Sequence, residues 1–213
     1  MKKHIFLSIS MLCWFCTNIL TAQDIEKEKH SGLGFTFGVG YSQLIKSGNF
    51  SQYLKGGAGI QAHISILYKR FEFNYSGGGN FTKAKNHFNL KSNPVDINDV
   101  IMVNMKSELS TYYAVVYKDN LTISPLAGIS WHSLGKYDNT KSKTLFTPTI
   151  GLQIQYNYGL IKSSLGRGLT YGHCLPLYLK YSYCFPRRYT NEIRGGMHII
   201  AIGLKLYIKD EDK

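Results

Sequence analysis

Residues 196–209 read GMHIIAIGLKLYIK and alternate between two kinds of side chain. One set is aliphatic, at positions 200, 202, 204, 206 and 208, and the set between consists of Ala201, Gly203, Lys205 and Tyr207. A period of two predicts a β-strand with one apolar face. That face could be buried in a protein core, or it could be turned to lipid around a barrel with a polar interior.

Seven further segments alternate in the same way, at 33–44, 59–68, 71–79, 108–117, 121–131, 149–160 and 169–185. The links between them are long and short in turn, a rhythm that indicates consecutive hairpins. The sequence therefore predicts an all-β fold, an eight-stranded antiparallel up-and-down transmembrane β-barrel. Pro176 predicts a bulge in the seventh strand. Residues 159–175 fit either a long turn or extended strands, so eight and ten strands both remain open.

The N-terminus predicts export. A positively charged start precedes an apolar run at residues 5–15, which suits a signal peptide and is too short for a membrane-spanning helix. The small residues before Gln23 predict cleavage after Ala22. We therefore expect a cleaved signal peptide at 1–22, a mobile segment at 23–31, the barrel at 32–209 and a charged tail at 210–213.

Three features predict that the apolar faces point to lipid. The opposite faces carry mostly Gly, Ser, Thr, Asn, Gln and Ala, which suit the narrow interior of a small barrel. The apolar faces end in Tyr and Trp, which favour membrane interfaces. Long and short links are sorted by end, as in outer-membrane barrels. The alternative is an exported soluble barrel of lipocalin type, with the same faces turned inward around a ligand.

Charge and cysteines limit the function further. The chain has 25 Lys and Arg against 13 Asp and Glu, scattered through the links, which indicates basic loops near anionic lipid rather than nucleic-acid binding. Cys174 and Cys184 would lie about 33 Å apart on one extended strand. A disulfide needs Cα atoms within about 7 Å, so we expect both cysteines to be unpaired.

No cofactor site, metal site or catalytic group emerges from the sequence. His132 and Ser133 lie at a strand end but are adjacent, so their side chains should point to opposite faces. His173 and Cys174 are also adjacent, and no other Cys/His cluster has the spacing of metal ligands. The run Gly77 to Gly79 precedes no helix, which indicates a bulge or strand end rather than a phosphate loop.

Polar residues of the inner faces are the candidate functional residues. Strand parity turns three charged side chains, Glu72, Lys180 and Lys205, toward the lumen. Parity places polar side chains there as well: His63, Gln153, Gln155 and Gln61. Because a buried charge must be paired or hydrated, we expect a polar network in which Glu72 reaches a lysine across a plugged lumen.

The MKK start, the TAQ exit and the eight-strand pattern ending in GMHIIAIGLKLYI resemble the small outer-membrane β-barrel proteins of Bacteroidetes-type bacteria, grouped as PorT-like or OmpA-like barrels. The resemblance implies an outer-membrane location and provides no catalytic residues. We expect a monomer that contacts outer-membrane lipid and has a structural, binding or assembly role through its outside loops, with another envelope or secretion protein as the candidate partner. Alternatives are a small porin-like channel, a secretion-machinery component, a lipid-modifying hydrolase or the lipocalin-like barrel.

Overall fold

The computed structural model describes residues 33–90, 93–118, 120–136, 143–156, 161–165, 169–174 and 176–210. The predicted signal peptide (1–22), the segment 23–31 and most of the charged tail lie outside these residues. The elements in chain order are β1 (Leu33–Lys46), α1 (Phe50–Tyr53), β2 (Gly57–Tyr68), β3 (Phe71–Lys83), β4 (Phe88–Leu90), β5 (Asn93–Val95), β6 (Val100–Tyr113), β7 (Val116–Lys118), β8 (Leu121–Lys136), β9 (Lys143–Tyr156), β10 (Ile161–Leu165), β11 (Leu169–Cys174), β12 (Leu177–Arg188) and β13 (Arg194–Asp210).

Eight long strands form a closed antiparallel barrel, in the order β1, β2, β3, β6, β8, β9, β12 and β13. The last strand also pairs with the first, with Phe37 opposite Leu206 and Val39 opposite Leu204. A single chain therefore completes the wall and leaves no open edge between β1 and β13. The predicted eight-stranded antiparallel barrel is confirmed.

Residues 159–175 contribute strands, but these strands do not enlarge the barrel. β10 and β11 form a hairpin, and β11 pairs with the end of β13, with Gly172 opposite Lys209. β12 pairs with β13 in the same alignment, with Leu177 opposite Leu204. β11 and β12 thus run along β13 as one interrupted strand, and eight strands close the barrel.

The bulge expected at Pro176 is absent, because the alignment with β13 is the same on both sides of this residue. Proline removes one donor from the ladder, but its carbonyl still accepts the backbone N–H of Lys205 at 3.0 Å. Register shifts occur elsewhere, on β6 between Met105 and Ser107 and on β12 between Cys184 and Arg187.

The two ends of the barrel differ. The first and last described residues lie at one end, here called the terminal end, which also has the two-residue turn between β2 and β3. In that turn Lys69 has φ 54°. The opposite end, here called the loop end, carries α1 and the β4–β5 hairpin. No helix in the described part of the chain is long and apolar enough to cross a membrane.

The links at the loop end contain more structure than expected. Between the predicted strands 71–79 and 108–117, β3 runs to Lys83, β4 and β5 form a hairpin and β6 begins at Val100. The link after the predicted strand 121–131 is also shorter than expected, since β8 runs to Lys136. These stretches are rich in Asn and Lys, but they also contain apolar residues that are buried at the barrel mouth.

Candidate functional site

The outer wall of the barrel is apolar. Ile64 and Ile202 are 55% and 47% exposed, and large aliphatic or aromatic side chains point outward from each of the eight wall strands. Thr, Ser, Asn, Gln, His and charged residues point inward instead. A soluble barrel would bury its apolar faces, so the lipocalin-like alternative is wrong about which way these faces point.

Aromatic side chains of the outer wall include groups near both ends of the barrel. Near the terminal end, Phe71 packs against Tyr113, with ring centroids 5.0 Å apart, next to Tyr68. Near the loop end, Trp131 packs edge-on against Phe146 at 5.5 Å. Two aromatic girdles around an apolar band are typical of outer-membrane barrels. The band and its girdles thus match a membrane and its two interfaces.

Two ion pairs cross the lumen. Lys205 Nζ on β13 lies 2.7 Å from Glu72 Oε1 on β3 and 3.1 Å from Oε2. Lys180 Nζ on β12 lies 2.6 Å from Glu108 Oε1 on β6. All four residues are buried. Neither pair joins neighbouring strands, so each ties one side of the wall to another through the interior.

Hydrogen bonds join the two ion pairs into one network. The Ser65 hydroxyl lies 2.7 Å from Glu72 Oε1 and 2.9 Å from Asn74 Oδ1. The Asn74 amide donates to Ser110 Oγ at 3.3 Å, and the Ser110 hydroxyl donates to Glu108 Oε1 at 3.0 Å. Both carboxylates therefore have donors besides their lysines, which a buried charge requires.

Two tyrosine rings fill the space around the ion pairs. Lys180 Nζ lies 5.8 Å and Lys205 Nζ 5.6 Å from the centroid of the Tyr112 ring. Lys205 Nζ also lies 5.7 Å from the centroid of the Tyr178 ring. All three distances lie within the range of cation–π attraction. Gln61 Nε2 donates to the Tyr178 hydroxyl at 3.2 Å. The rings and the paired charges thus lie together inside the barrel.

Glycines of the lumen wall make room for these large side chains. A Cβ at Gly40 would collide with the Tyr178 hydroxyl and lie 2.6 Å from the carbonyl oxygen of Ile202. A Cβ at Gly38 would occupy the position of the His63 ring. The small residues on the inner faces thus have a packing role.

The structure brings together only some of the sequence-predicted residues. Glu72 and Lys205 are in direct contact, whereas Lys180 pairs with Glu108. The His63 ring packs edge-on against Tyr178, with centroids 5.1 Å apart. Gln153 is buried opposite Lys180 in the strand pairing, and Gln155 is half-buried.

Sequence reasoning missed three residues of this network: Glu108, Tyr112 and Tyr178. The signal was available for the first two, because Glu108 and Tyr112 have the parity opposite to that of the apolar residue Leu109. Tyr178 lies on the face opposite Leu177 and Leu179, so its parity also pointed inward. An inward tyrosine in a small-residue face is a signal for a side chain that fills the lumen.

A second, apolar core lies at the loop end of the barrel. The cap core consists of loop residues packed on strand residues: Leu44, Phe50, Leu54, Ala84, Phe88, Leu90, Val95, Ile101, Val103, Leu134, Cys184, Tyr189, Ile193, Met197 and Ile199. Phe50 of α1 packs edge-on against Tyr189 of the link before β13, with centroids 4.8 Å apart. Burial raises the pKa of the Tyr189 hydroxyl above its ordinary value, so the group stays neutral.

Polar contacts tie the loops of the cap to one another. The Asn49 side chain donates to the Glu192 carbonyl and accepts the Arg194 backbone N–H, both at 2.7 Å. The Asp96 backbone N–H donates to Asp99 Oδ2 at 2.8 Å, and this bond, with the nearby Lys136, lowers the pKa of Asp99. The cap is therefore a folded unit held by apolar packing and by hydrogen bonds.

The candidate catalytic and metal residues do not form a site among the described residues. His132 is buried toward the lumen, Ser133 is next to it in the strand, and no hydrogen bond to a described residue joins either side chain. Cys184 is a free, buried thiol that accepts from Thr149 at 3.6 Å. The side chains of His173 and Cys174 lie outside the described part. No cluster of three potential metal ligands occurs among the described residues.

A closed barrel with an apolar outer wall, aromatic girdles and a polar lumen defines the class of this protein: a β-barrel of the bacterial outer membrane. No protein-family model and no curated protein matches the chain. The assignment to a PorT-like family therefore remains a resemblance of pattern.

The chain is similar to several solved structures, at low sequence identity. The attachment invasion locus protein Ail of Yersinia pestis, in complex with the heparin analogue sucrose octasulfate, is 12% identical with a TM-score of 0.38, over 82% of this chain and 99% of that chain. Neisserial surface protein A is 7% identical with a TM-score of 0.45, over 83% and 96%. The outer membrane protease OmpT of Escherichia coli is 10% identical with a TM-score of 0.32, over 88% and 99%.

Proposed function

We propose that this protein is a non-conducting outer-membrane barrel that acts through the surface of its cap, as a structural, binding or assembly protein. The observation that supports the proposal is the double closure of the interior. Ion pairs and tyrosine rings occupy the lumen, and the cap core fills the mouth at the loop end. A general pore would need a continuous hydrated path, as in larger barrels.

The cap supports a binding role because its loops have a fixed shape. Loops with a shared apolar core present a preformed surface, which lowers the entropic cost of binding. Exposed basic side chains surround this surface: Lys55, Lys83, Lys85, Arg187, Arg188 and Arg194. Two of the acids there have local partners, Asp96 with His87 and Asp99 with Lys136. The surplus of positive charge favours an anionic partner or membrane surface.

A non-enzymatic role is the simpler interpretation of the lumen. Nucleophilic catalysis needs a nucleophile and a base within hydrogen-bond reach, with a third group that orients the base. His132 and Ser133 are successive residues of β8, whose side chains point to opposite faces in a regular strand, and both residues are buried. A small channel is the alternative function, and the conductance of the folded barrel distinguishes the two.

Conductance in planar lipid bilayers tests the proposal. The purified, folded wild-type barrel should give no steady single-channel current. Glu72→Gln, which breaks one of the two lumenal ion pairs, should open small and brief conductances, because it removes a contact that ties β3 to β13 across the lumen. Steady channels from the wild-type protein would refute the closed lumen and favour the porin-like alternative.

A further inference from the structure

The outer wall of β12 and β13 carries a column of paired side chains whose chemistry changes with height. The cross-strand pairs, from the middle of the wall toward the loop end, are Leu179 with Ile202, Tyr181 with Ile200, Tyr183 with His198 and Arg188 with Arg194. The column is therefore apolar at mid-wall, aromatic above and doubly cationic at the top. The same order of chemistry is found in a phospholipid or glycolipid, from its acyl chains to an anionic headgroup.

The aromatic part of the column fixes the level of the membrane interface. The Tyr181 hydroxyl lies 2.8 Å from His198 Nδ1, and the Tyr183 ring lies 4.8 Å from the His198 ring. Tyr183 packs over Gly196, where a Cβ would lie 3.1 Å from its ring. Tyrosine rings with one polar and one apolar edge prefer the headgroup level. Arg188 and Arg194 lie farther toward the loop end, beyond Gly196 and the register shift on β12, and are therefore on the headgroup side of these rings.

The two arginines at the top of the column form a like-charge pair. Arg188 and Arg194 are directly opposite each other on adjacent strands, and both are exposed. Like charges in this position destabilise a sheet. Arg188 donates to the carbonyls of Thr190 and Asn191 at 3.3 Å, which are neutral acceptors.

No carboxylate neutralises this pair within the described ranges. Glu192 is the acid of the connecting link, but its carboxylate accepts the Asn89 backbone N–H at 2.9 Å instead of either guanidinium. A pair of guanidinium groups without a carboxylate is an arrangement that binds phosphate, because the planar fork of arginine matches phosphate oxygens.

We infer that Arg188 and Arg194 bind the phosphate headgroup of an outer-leaflet lipid whose acyl chains lie along Leu179, Ile200 and Ile202. Charge complementarity at the top of the column and continuity with the apolar wall below it select a membrane amphiphile over a soluble anion. The inference rests on insertion of the barrel in the outer membrane, and it does not depend on a closed lumen.

Lipid binding by the folded protein tests the inference. The probe is diphosphorylated lipid A, and the reference is the same lipid without its phosphates, each titrated into the detergent-solubilised full barrel and followed by native mass spectrometry. The double variant R188Q/R194Q should bind the phosphorylated lipid about tenfold more weakly than the wild type, or weaker still. The dephosphorylated lipid should bind both proteins equally and weakly.

A charge-matched control separates this site from general attraction. The variant K69Q/K118Q also removes two exposed charges, but from turns at the terminal end of the barrel, and its affinity should stay within about twofold of the wild type. Heat-modifiable migration on gels checks that every variant is a folded barrel, so failure of membrane-protein folding is distinguishable from loss of lipid binding.

Three outcomes would overturn the inference. Equal affinity of wild type and R188Q/R194Q for the phosphorylated lipid would show that the two arginines do not bind its phosphate. An equal loss of affinity in K69Q/K118Q would show that the effect depends only on net charge. Displacement of the lipid by inorganic pyrophosphate at matched concentration would identify a soluble phosphate as the ligand, whereas retention of the lipid supports the membrane source.

Discussion

Replacement of Glu72 by glutamine removes one charge from the lumen and leaves the shape of the side chain unchanged. In the native protein the Glu72 carboxylate contacts Lys205 at 2.7 and 3.1 Å and accepts from Ser65 at 2.7 Å. Lys205 is only 1% exposed. Glu72→Gln therefore leaves a buried ammonium group without a counter-charge.

The magnitude of the loss follows from the surroundings of Lys205. Removal of one partner from a buried ion pair costs about 3–5 kcal/mol. Here the ammonium keeps two tyrosine rings within 5.7 Å, those of Tyr112 and Tyr178, and a neutral amide oxygen remains at position 72. Because both partly compensate for the missing charge, we expect the free energy of unfolding to fall by about 3 kcal/mol, the lower end of this range.

Urea unfolding of the barrel in lipid vesicles measures this change, with the folded fraction read from heat-modifiable gel migration. The double variant Glu72→Gln with Lys205→Met should recover most of the lost stability, since it removes the stranded charge. The matched control, Glu72→Gln with Lys180→Met, should recover none, because Lys180 pairs with Glu108 and its loss strands a second charge. Wild-type stability of Glu72→Gln, or equal recovery by both double variants, would refute the assignment of partners.

Four further predictions test the wall, the lumen packing and the cap. Gly40→Ala should lower the free energy of unfolding by about 1–3 kcal/mol, because its Cβ collides with the Tyr178 hydroxyl; unchanged urea unfolding would contradict the tight packing. Ile202→Arg should lower the free energy of unfolding in lipid by about 2–4 kcal/mol, and Ile202→Leu should leave it almost unchanged. Equal stability of the two variants would place this face away from lipid. Phe50→Ala should lower the free energy of unfolding of the cap by about 3–5 kcal/mol. Limited proteolysis should then cleave the loops while the barrel stays folded. The Asp96 amide proton, which is donated to the Asp99 carboxylate, should lose its protection from hydrogen exchange as the pH falls below about 4. The reason is that the pKa of Asp99 is lowered, so the charged carboxylate that stabilises the fold is lost only when the pH falls through that pKa. Exchange measurements on Asp99→Asn should show no such pH dependence.

The sequence predicted the wall because strand alternation is a local property. Each residue of a strand faces opposite to its neighbours, so Ile200, Ile202 and Leu204 had to share one face wherever the strand was placed. Small inner residues and tyrosines at the strand ends then indicated which face meets lipid. The same parity turned Glu72, Lys180 and Lys205 inward, and all three are in the lumen.

Which inner residues touch each other is decided by the closed barrel alone. Parity gives the face of a side chain, but the height of the side chain depends on register and shear, which are set by pairing between distant strands. Lys205 and Lys180 were equivalent candidates for Glu72 in the sequence, and register assigned the first to Glu72 and the second to Glu108.

The cap shows the same limit for the loops. The residues that form it come from separate links rich in Asn and Lys, and no short-range pattern marks Phe50 and Tyr189 as neighbours. Only closure of the barrel brings their links to one mouth, where apolar side chains of both links find a shared place away from water. The sequence by itself thus determined the strands and the direction of their faces. The tertiary structure decided the ion-pair partners and the packing of the cap at the mouth, because these two features depend on contacts between residues far apart in the chain.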